Sequence, residues 1–573
     1  MLHRRLPKDF DALILLILAV GILVRCYGID FGLPHTRCRP DENVVIRHAL
    51  YSSIKALHPT TFSYGSFYKY ILLFLYALYY LFGLVSGRFT STLDLIREYA
   101  VDPTNLFLIN RLLAALLGTA TVFIVYLIAK RLFDRRVALI SSLFLSLAYL
   151  HVRDSHFGNV DVPMTFFIMC SFLFIVKSYR KGILKNYILS GLLAGLATST
   201  KYAGILLIAP MLIAHFCNIP DRKDKWSKLF LDRRILLFFL FVVIGFLVGT
   251  PYSVIDFSAF TGDIFFQAIE HQTMGHEIIL GRGWWHFLSF SLFFGLGWPL
   301  LFASIGGILI LAKRDIRSAA LLCSFPALYY FLAGRGYTVF ARYTIPMIPF
   351  LCVTGSICAL FISDKLLGKS KRYFANVLIA AISISIMTPS INNIIKFDML
   401  LTKRDNRLIV TEWIHKNIPE GSSIYQTGSI WGRLELYDTP GALKKRLKSQ
   451  VDTGYKSRLL EAAVDHLRDE GILGYEGWKY DDRIRRFTFE GKRKDLPEYI
   501  VVEESPLTAY SKVDETVRMY LKRDYSLKRS FVAVDIDSSD NLFDQQDAFY
   551  IPFAGFKNII RPGPNIYIFE RKR

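Results

Sequence analysis

The chain has 573 residues, 53% of them hydrophobic, with 46 Phe and 31 Tyr. That is too apolar for an ordinary soluble protein and excludes a disordered or collagen-like chain. The formal charge of +21 would usually suggest nucleic acid, but the basic residues sit in short clusters between apolar runs. This is the distribution of a multi-pass membrane protein with no nucleic-acid partner.

The first apolar run, 12–27, follows MLHRRLPK; no small-residue cleavage site comes after it, so it reads as a retained anchor. Further runs lie at roughly 67–85, 106–129, 137–150, 161–177, 186–199, 202–217, 234–250, 287–311, 318–333, 343–361 and 373–391. A span needs about 20 residues, so the short runs must borrow flanks. Most of the seven cysteines, Cys26, Cys38, Cys170, Cys217, Cys323, Cys352 and Cys358, fall inside such runs, which excludes a disulfide-built soluble domain and a CxxC metal site.

Lys and Arg set the orientation. The connections KRLFDRR (130–136), KSYRKGILK (177–185), DRKDKWSKLFLDRR (221–234), AKRDIR (312–317) and DKLLGKSKR (364–372) are basic and are placed in the cytoplasm with the N-terminus. The intervening loops are poor in Lys and Arg and go outside. If both 12–27 and 67–85 cross, every later loop has the wrong sign. The conflict vanishes if the Tyr-rich run 67–85 lies at the outer interface. That leaves eleven crossings; the alternative is a true span at 67–85 with a short pair such as 186–217 miscounted.

From about 392 charged residues become frequent. RDNRLIVTEWIHKNIPEGSSIYQTG reads as an amphipathic helix, a turn and a strand; PEYIVVEES, SFVAVDID and NIYIFER read as further strands. The expected organisation is a membrane domain over 1–391, with an outer loop at 28–105, and an extracytoplasmic α/β domain over 392–573.

Five places carry residues suited to chemistry. In RCRPDENVVIRHAL, Asp41 and Glu42 follow Pro40 and open a helix. They either satisfy the helix start and its dipole or place a general base just above the bilayer. In HVRDSHFGNVDVPMTFF, Asp161 precedes Val162-Pro163 and an apolar helix; it is either an N-cap or a second acidic position on the same membrane face. His151, Arg153, Asp154 and His156 crowd that loop, a density that favours a site. Lys201, in STKYAG, either snorkels or meets a lipid phosphate. In IEHQTMGHEIILGRGWWHF, the spacing of Glu270, His271, His276 and Glu277 matches no standard metal motif, whereas His276 and Arg282 suit a phosphate. Arg342, beyond Arg335 in RGYTVFARYTIPMIPF, either snorkels or pairs with an anion above a span bent by Pro346 and Pro349. A Walker A loop and a dinucleotide loop are absent from the sequence.

Pro-Asp-Glu in the first outer loop, DVPMTFF, and Arg-Tyr-x-x-Pro-x-x-Pro (342–349) together resemble the polyprenyl-phosphate-sugar-dependent glycosyltransferases of the GT-C class. The nearest branch is the bacterial and archaeal one that includes the lipid A aminoarabinose transferase, with eukaryotic protein O-mannosyltransferases more distant. SHFGNVDVPMTFF, TKYAG, Gly275-His276 and TEWIHKNIPEGSSI add to the likeness, which covers roughly 10–430. The resemblance implies a GT-C fold of about eleven to thirteen transmembrane helices in the plasma (inner) membrane. It implies inverting transfer from a sugar on a polyprenyl or dolichyl phosphate to a hydroxyl of a glycolipid, glycan or protein. Asp41 matches the family's catalytic carboxylate and Asp161 its second acidic position, with Glu42 beside the first. Lys201, Arg282, Arg342 and His276 are the candidates for the donor phosphate. No cofactor is required; a divalent metal is neither implied nor excluded. The region before the interfacial run, YGSFYKY, lacks the aminoarabinose transferase's Lys-Pro pair, with Lys69 displaced, which weakens the match to that sugar. No WWDYG sequence appears; Trp284-Trp285 are followed by His-Phe.

Two rival readings remain. A lipid-linked sugar flippase predicts polar residues spread through the spans rather than clustered at the outer rim. A non-enzymatic envelope assembly protein makes Asp41 and Asp161 simple caps, which Asn would replace without loss.

Overall fold

Apolar runs become helices because a membrane leaves the backbone no other partner than itself. The computed structural model describes residues 11–54, 56–219, 229–367, 372–449, 461, 464–465, 474–536 and 540–572. The leader MLHRRLPK, residues 221–228 of one basic connection and 368–371 of another lie outside these. All twelve apolar runs fall on helix. Among the described residues six helical stretches are long and apolar enough to cross a membrane: Phe67–Val85, Thr104–Leu132, Asp161–Lys181, Ile316–Ala333, Ala341–Leu366 and Phe374–Asn417, the last made of the apolar helix Arg372–Leu401 and, after a break, the polar helix Asn406–Asn417 outside the apolar part. Two bent pairs raise the number to eight, and Ala12–Cys26 and Tyr202–Cys217 are shorter apolar helices. Phe67–Val85, assigned by loop charge to the interface, is one unbroken helix of 19 residues that meets the length and hydropathy of a crossing.

By contacts the chain divides into two units. One contains residues 1–27, 58–71 and 111–396; the other contains 28–57, 72–110 and 397–573. Most of the outer loop thus groups with the C-terminal region.

In the first unit, helices Leu184–Thr200 and Arg233–Gly249 approach backbone to backbone. A Cβ on Gly195 would lie 2.2 Å from the Val242 carbonyl oxygen, and one on Gly245 2.3 Å from that of Leu192. Small residues are what permits such contact between membrane helices. The run 287–311, expected as one span, is broken instead: Gly283–Leu296 and Trp298–Arg314 meet at 112°. The cause is local. Gly297 adopts φ +82°, open to glycine at little strain, and Pro299 lacks the amide that would continue the ladder. The run 137–150 is likewise bent, by 56° between Arg135–Ser146 and Tyr149–Ser155. Pro346 falls in a 3-10 stretch, Ala341–Met347, that precedes helix Ile348–Leu367.

In the second unit, a seven-stranded mixed sheet forms: β1 Ser423–Gln426, β2 Glu476–Asp481, β3 Arg486–Phe489, β4 Lys492–Lys494, β5 Tyr499–Glu504, β6 Tyr525–Phe531 and β7 Asn565–Arg571. The order is β4-β3-β2-β1-β5-β7-β6, with β1 parallel to both β2 and β5. The expected helix–turn–strand at its start is present: Asp405 caps helix Asn406–Asn417 and β1 follows. Val410 and Ile414 of that helix pack on Ile424, Val501, Ile566 and Ile568 of the sheet. The strand expected in SFVAVDID sits earlier. It runs Tyr525–Phe531 and stops because the amides of Ala533 and Val534 both donate to Asn565 Oδ1, at 2.7 and 3.0 Å, instead of to a ladder.

Candidate functional site

Asp161 is the first residue of an apolar helix and does not cap it. Val160 is the cap residue, no side chain caps the helix, and Asp161 opens the first turn of Asp161–Lys181. Its carboxylate faces other elements of the same unit. Lys201 Nζ donates to Oδ1 at 2.6 Å, and Arg342 Nε lies 3.9 Å from Oδ2. The Asp161 carboxylate is 4% exposed, Arg342 5% and Lys201 16%. One buried carboxylate therefore faces two cations.

Helix Leu184–Thr200 ends at Lys201, where the backbone turns extended before the 3-10 stretch Tyr202–Leu207. This turn delivers the ammonium to the ring of Tyr343, 4.3 Å from its centroid, and to Tyr64 at 5.9 Å. Arg342 lies 4.3 Å from the Phe340 ring, and the His276 imidazole meets the same ring at 5.1 Å. Arg282 is exposed, beside Trp284 at 5.6 Å and Tyr337 at 6.0 Å. The structure thus links Lys201, Arg342 and His276 through Asp161 and Phe340, and leaves Arg282 at the next aromatic along.

Lys201 also lines a cavity of about 630 Å³. Among its described lining residues Lys201 is the one charged group; the rest include Val242, Val243, Phe246, Phe260, Leu206 and Leu332. Tyr64, Tyr202, Tyr329 and Tyr343 edge it with hydroxyl-bearing rings. Cavities of this size hold small molecules or part of a larger one. An apolar chamber with one cation fits an amphiphile with an anionic head. Sequence reasoning missed these tyrosines, although Tyr343 stands beside Arg342 in the quoted motif.

One reading changes. The dense polar stretch 151–156 is no site loop: Tyr149–Ser155 is a fully buried helix. Arg153 pairs with Asp154 at 2.9 Å, Arg25 reaches His151 Nδ1 at 3.0 Å, and His156 bonds the Val152 and Tyr27 carbonyls. Buried polar groups of this kind answer one another. The side chains of Glu270 and His271 lie outside the described residues. Among the described residues no three of His, Cys, Asp and Glu are grouped to hold a metal ion.

Asp41 belongs to the other unit. It stands just before helix Glu42–Ile54 with φ +67°, and its carbonyl accepts the Val45 amide at 3.1 Å. Its side chain is partly exposed, whereas Glu42 is fully buried.

Residues 105–248 match the family model described as dolichyl-phosphate-mannose-protein mannosyltransferase. Comparison with curated proteins finds no match. Among solved structures the chain is similar to ArnT from Cupriavidus metallidurans in the apo state, with TM-score 0.51, 13% identity and 97% of each chain covered. The same protein bound to undecaprenyl phosphate gives 0.50, 14% and 97% of each chain. The apo oligosaccharyltransferase of Archaeoglobus fulgidus gives 0.50 and 13%, covering 98% of this chain and 89% of that one. With its apolar helices and C-terminal mixed sheet, the chain is a multi-pass membrane protein of the GT-C fold, similar to glycosyltransferases that use lipid-linked sugars.

Proposed function

We propose that the protein is an integral-membrane glycosyltransferase that moves a sugar from a polyprenyl or dolichyl phosphate to a hydroxyl acceptor, with inversion, on the outer face of the plasma membrane. The observation that supports this best is the apolar cavity with Lys201 as its charged end. A prenyl chain suits the apolar wall, and a phosphate suits an ammonium already sharing its carboxylate with Arg342. ArnT has been solved with undecaprenyl phosphate bound, a ligand of this chemistry.

In this reading the acceptor oxygen attacks the anomeric carbon and the bond from that carbon to the phosphate oxygen breaks. The electron pair leaves on the phosphate, where Lys201 and Arg342 stabilise the growing charge; fixed cations in a low-dielectric site are strong stabilisers of such charge. Further along, His276 offers a ring nitrogen beside Phe340, and Arg282 a further cation beside Trp284. Asp161 holds the two inner cations in place rather than touching the acceptor. Asp41, on the family motif, takes the acceptor proton. Glu42, buried in the first turn of its helix, sits beside that base. The N-terminus lies in the cytoplasm and the C-terminal domain outside, on the Lys and Arg asymmetry of the loops.

The test is sugar transfer by the purified protein in liposomes. The donors are polyprenyl-phosphate mannose, glucose and arabinose, with membrane extract as acceptor. Donor-dependent labelling, lost in Asp41→Asn and strongly reduced in Lys201→Met while both variants stay folded, is the expected result. Wild-type labelling in Asp41→Asn, which still caps the helix, would return that residue to a structural role.

A further inference from the structure

Asp41 occupies a backbone conformation that its neighbours must enforce. At φ +67° it is left-handed, a region that side-chain-bearing residues seldom enter. Asp tolerates it better than most, but such conformations persist only where the surroundings over-determine them. Here the residues on either side of Pro40-Asp41 are locked. Arg39 and Glu42 are both 0% exposed.

What locks Arg39 comes from 508 residues away. Its Nη1 donates to Asp547 Oδ2 at 2.7 Å, and the two side chains are 0% and 1% exposed. The guanidinium lies 4.8 Å from the centre of the Phe549 ring, which meets Phe31 edge-on at 6.0 Å. A few residues earlier a second grip appears. The Thr36 amide donates to Glu435 Oε2 at 2.9 Å, its hydroxyl to Oε1, and His35 Nε2 bonds the Arg433 carbonyl at 3.1 Å. Segment 431–435 is itself fixed, since Arg407 donates to the Trp431 carbonyl at 2.6 Å. The Asp547 turn is tied down by Tyr510, whose hydroxyl donates to the Gln546 carbonyl at 2.6 Å. The polar grips on 35–39 named here all come from the C-terminal region, and all lie within one unit.

We propose that the C-terminal domain is a positioning device for the catalytic turn: Asp547, through Arg39, and Glu435, through Thr36, hold Pro40-Asp41 in its left-handed form so that the Asp41 carboxylate stays aimed. This rests on Asp41 being the base. Arg39 and Asp547 are positioning residues and touch no substrate. Without the buried ion pair the turn relaxes toward the ordinary right-handed or extended region, and the carboxylate swings away while the donor cavity is untouched.

The experiment uses the full-length protein in liposomes and the variants Asp547→Asn and Arg39→Lys. The first readout needs no substrate. Hydrogen exchange of peptides spanning 36–48 is expected to rise at least about 10-fold in Asp547→Asn, the signature of local opening, with peptides from 423–426 and 565–571 unchanged. The second is turnover with the polyprenyl-phosphate sugar donors. A misaimed group of about 1 Å costs on the order of 100-fold, so kcat is expected to fall about 10- to 100-fold with donor KM within about 3-fold. In an Asp41→Glu background, where aim is already lost, adding Asp547→Asn is expected to cost under about 3-fold, the non-additivity of residues acting as one unit. Unchanged exchange in 36–48 overturns the proposal, as does the same loss of kcat in both backgrounds. Arg39→Lys, which keeps the charge, is the milder variant should Asp547→Asn fail to fold. Activity that survives Asp41→Asn sinks the base assignment instead; loss in Asp41→Asn with full kcat in Asp547→Asn and Arg39→Lys sinks the positioning alone.

Discussion

Two carboxylates bonded to cations, one in each unit, show how a site differs from a staple. In the C-terminal unit Asp405 faces Arg407 in a closed pair, with Nε to Oδ1 and Nη2 to Oδ2 both at 2.8 Å and side chains 0% and 1% exposed. In the membrane unit Asp161 is shared between Lys201 and Arg342, and Lys201 opens to a cavity. The first is sealed; the second reaches a cavity through Lys201. Geometry of the individual bonds does not separate them. Access to a cavity does.

Breaking the sealed pair should have the largest effect. Arg407→Met leaves Asp405 buried without its cation, a change that costs about 3–5 kcal/mol. It also removes the tie to Trp431. Denaturant titration of the protein in detergent should show the lower midpoint; an unshifted midpoint would mean the pair is a surface-like contact. Lys201→Met should do the opposite. Methionine fills the space of the lysine stem, so the midpoint should move little, while kcat/KM for the lipid-phosphate donor falls about 100- to 1,000-fold, as when one preorganised charge or donor is removed from a transition state. A Lys201→Met variant that unfolds but turns over normally per folded molecule would erase the contrast between the two regions.

How much of this could be read from sequence depends on where each signal lies. The helices were legible because a bilayer demands a long apolar run, and all twelve runs are helical. The break at Gly297 was not read, although Gly-Trp-Pro is a local signal for it. Asp161 and Lys201 stood out singly, as charges beside apolar helices, but their ion pair spans 40 residues and no spacing rule reports it. The polar stretch 151–156 misled for the converse reason. Its density signals polarity, and only tertiary structure shows that Arg25 bonds His151 and that the Tyr27 and Val152 carbonyls bond His156. The grouping of residues 28–57 with the C-terminal domain was invisible. Arg39 and Asp547 carry no local sign of each other, and nothing around Asp41 announces a left-handed backbone.

The smallest expected effect separates two buried carboxyls of the same domain. Burial would raise Asp405, but Arg407 outweighs it and holds the group below the usual carboxylate range. Burial raises Glu503 from 4.5 to about 8; the Tyr550 and Ser511 hydroxyls and the more distant Arg407 and Arg433 oppose that without cancelling it. The glycines opposite make room for the neutral acid: a Cβ on Gly432 would fall 2.0 Å from the Glu503 carboxyl carbon, and one on Gly428 2.2 Å from Oε2. The signs then follow. A depressed acid binds fewer protons folded than unfolded, so the Asp405 contribution is present above pH about 4 and is lost as pH falls through its folded value. A raised acid binds more protons folded, so the Glu503 contribution is complete below pH about 4.5 and is lost as pH rises to about 8. Glu503→Gln removes this one contribution, so its stability relative to wild type should rise from pH 5 to 8. The unfolding midpoint measured at pH 5, 6.5 and 8 checks it. A Gln variant with the wild-type slope would place the titrating group elsewhere.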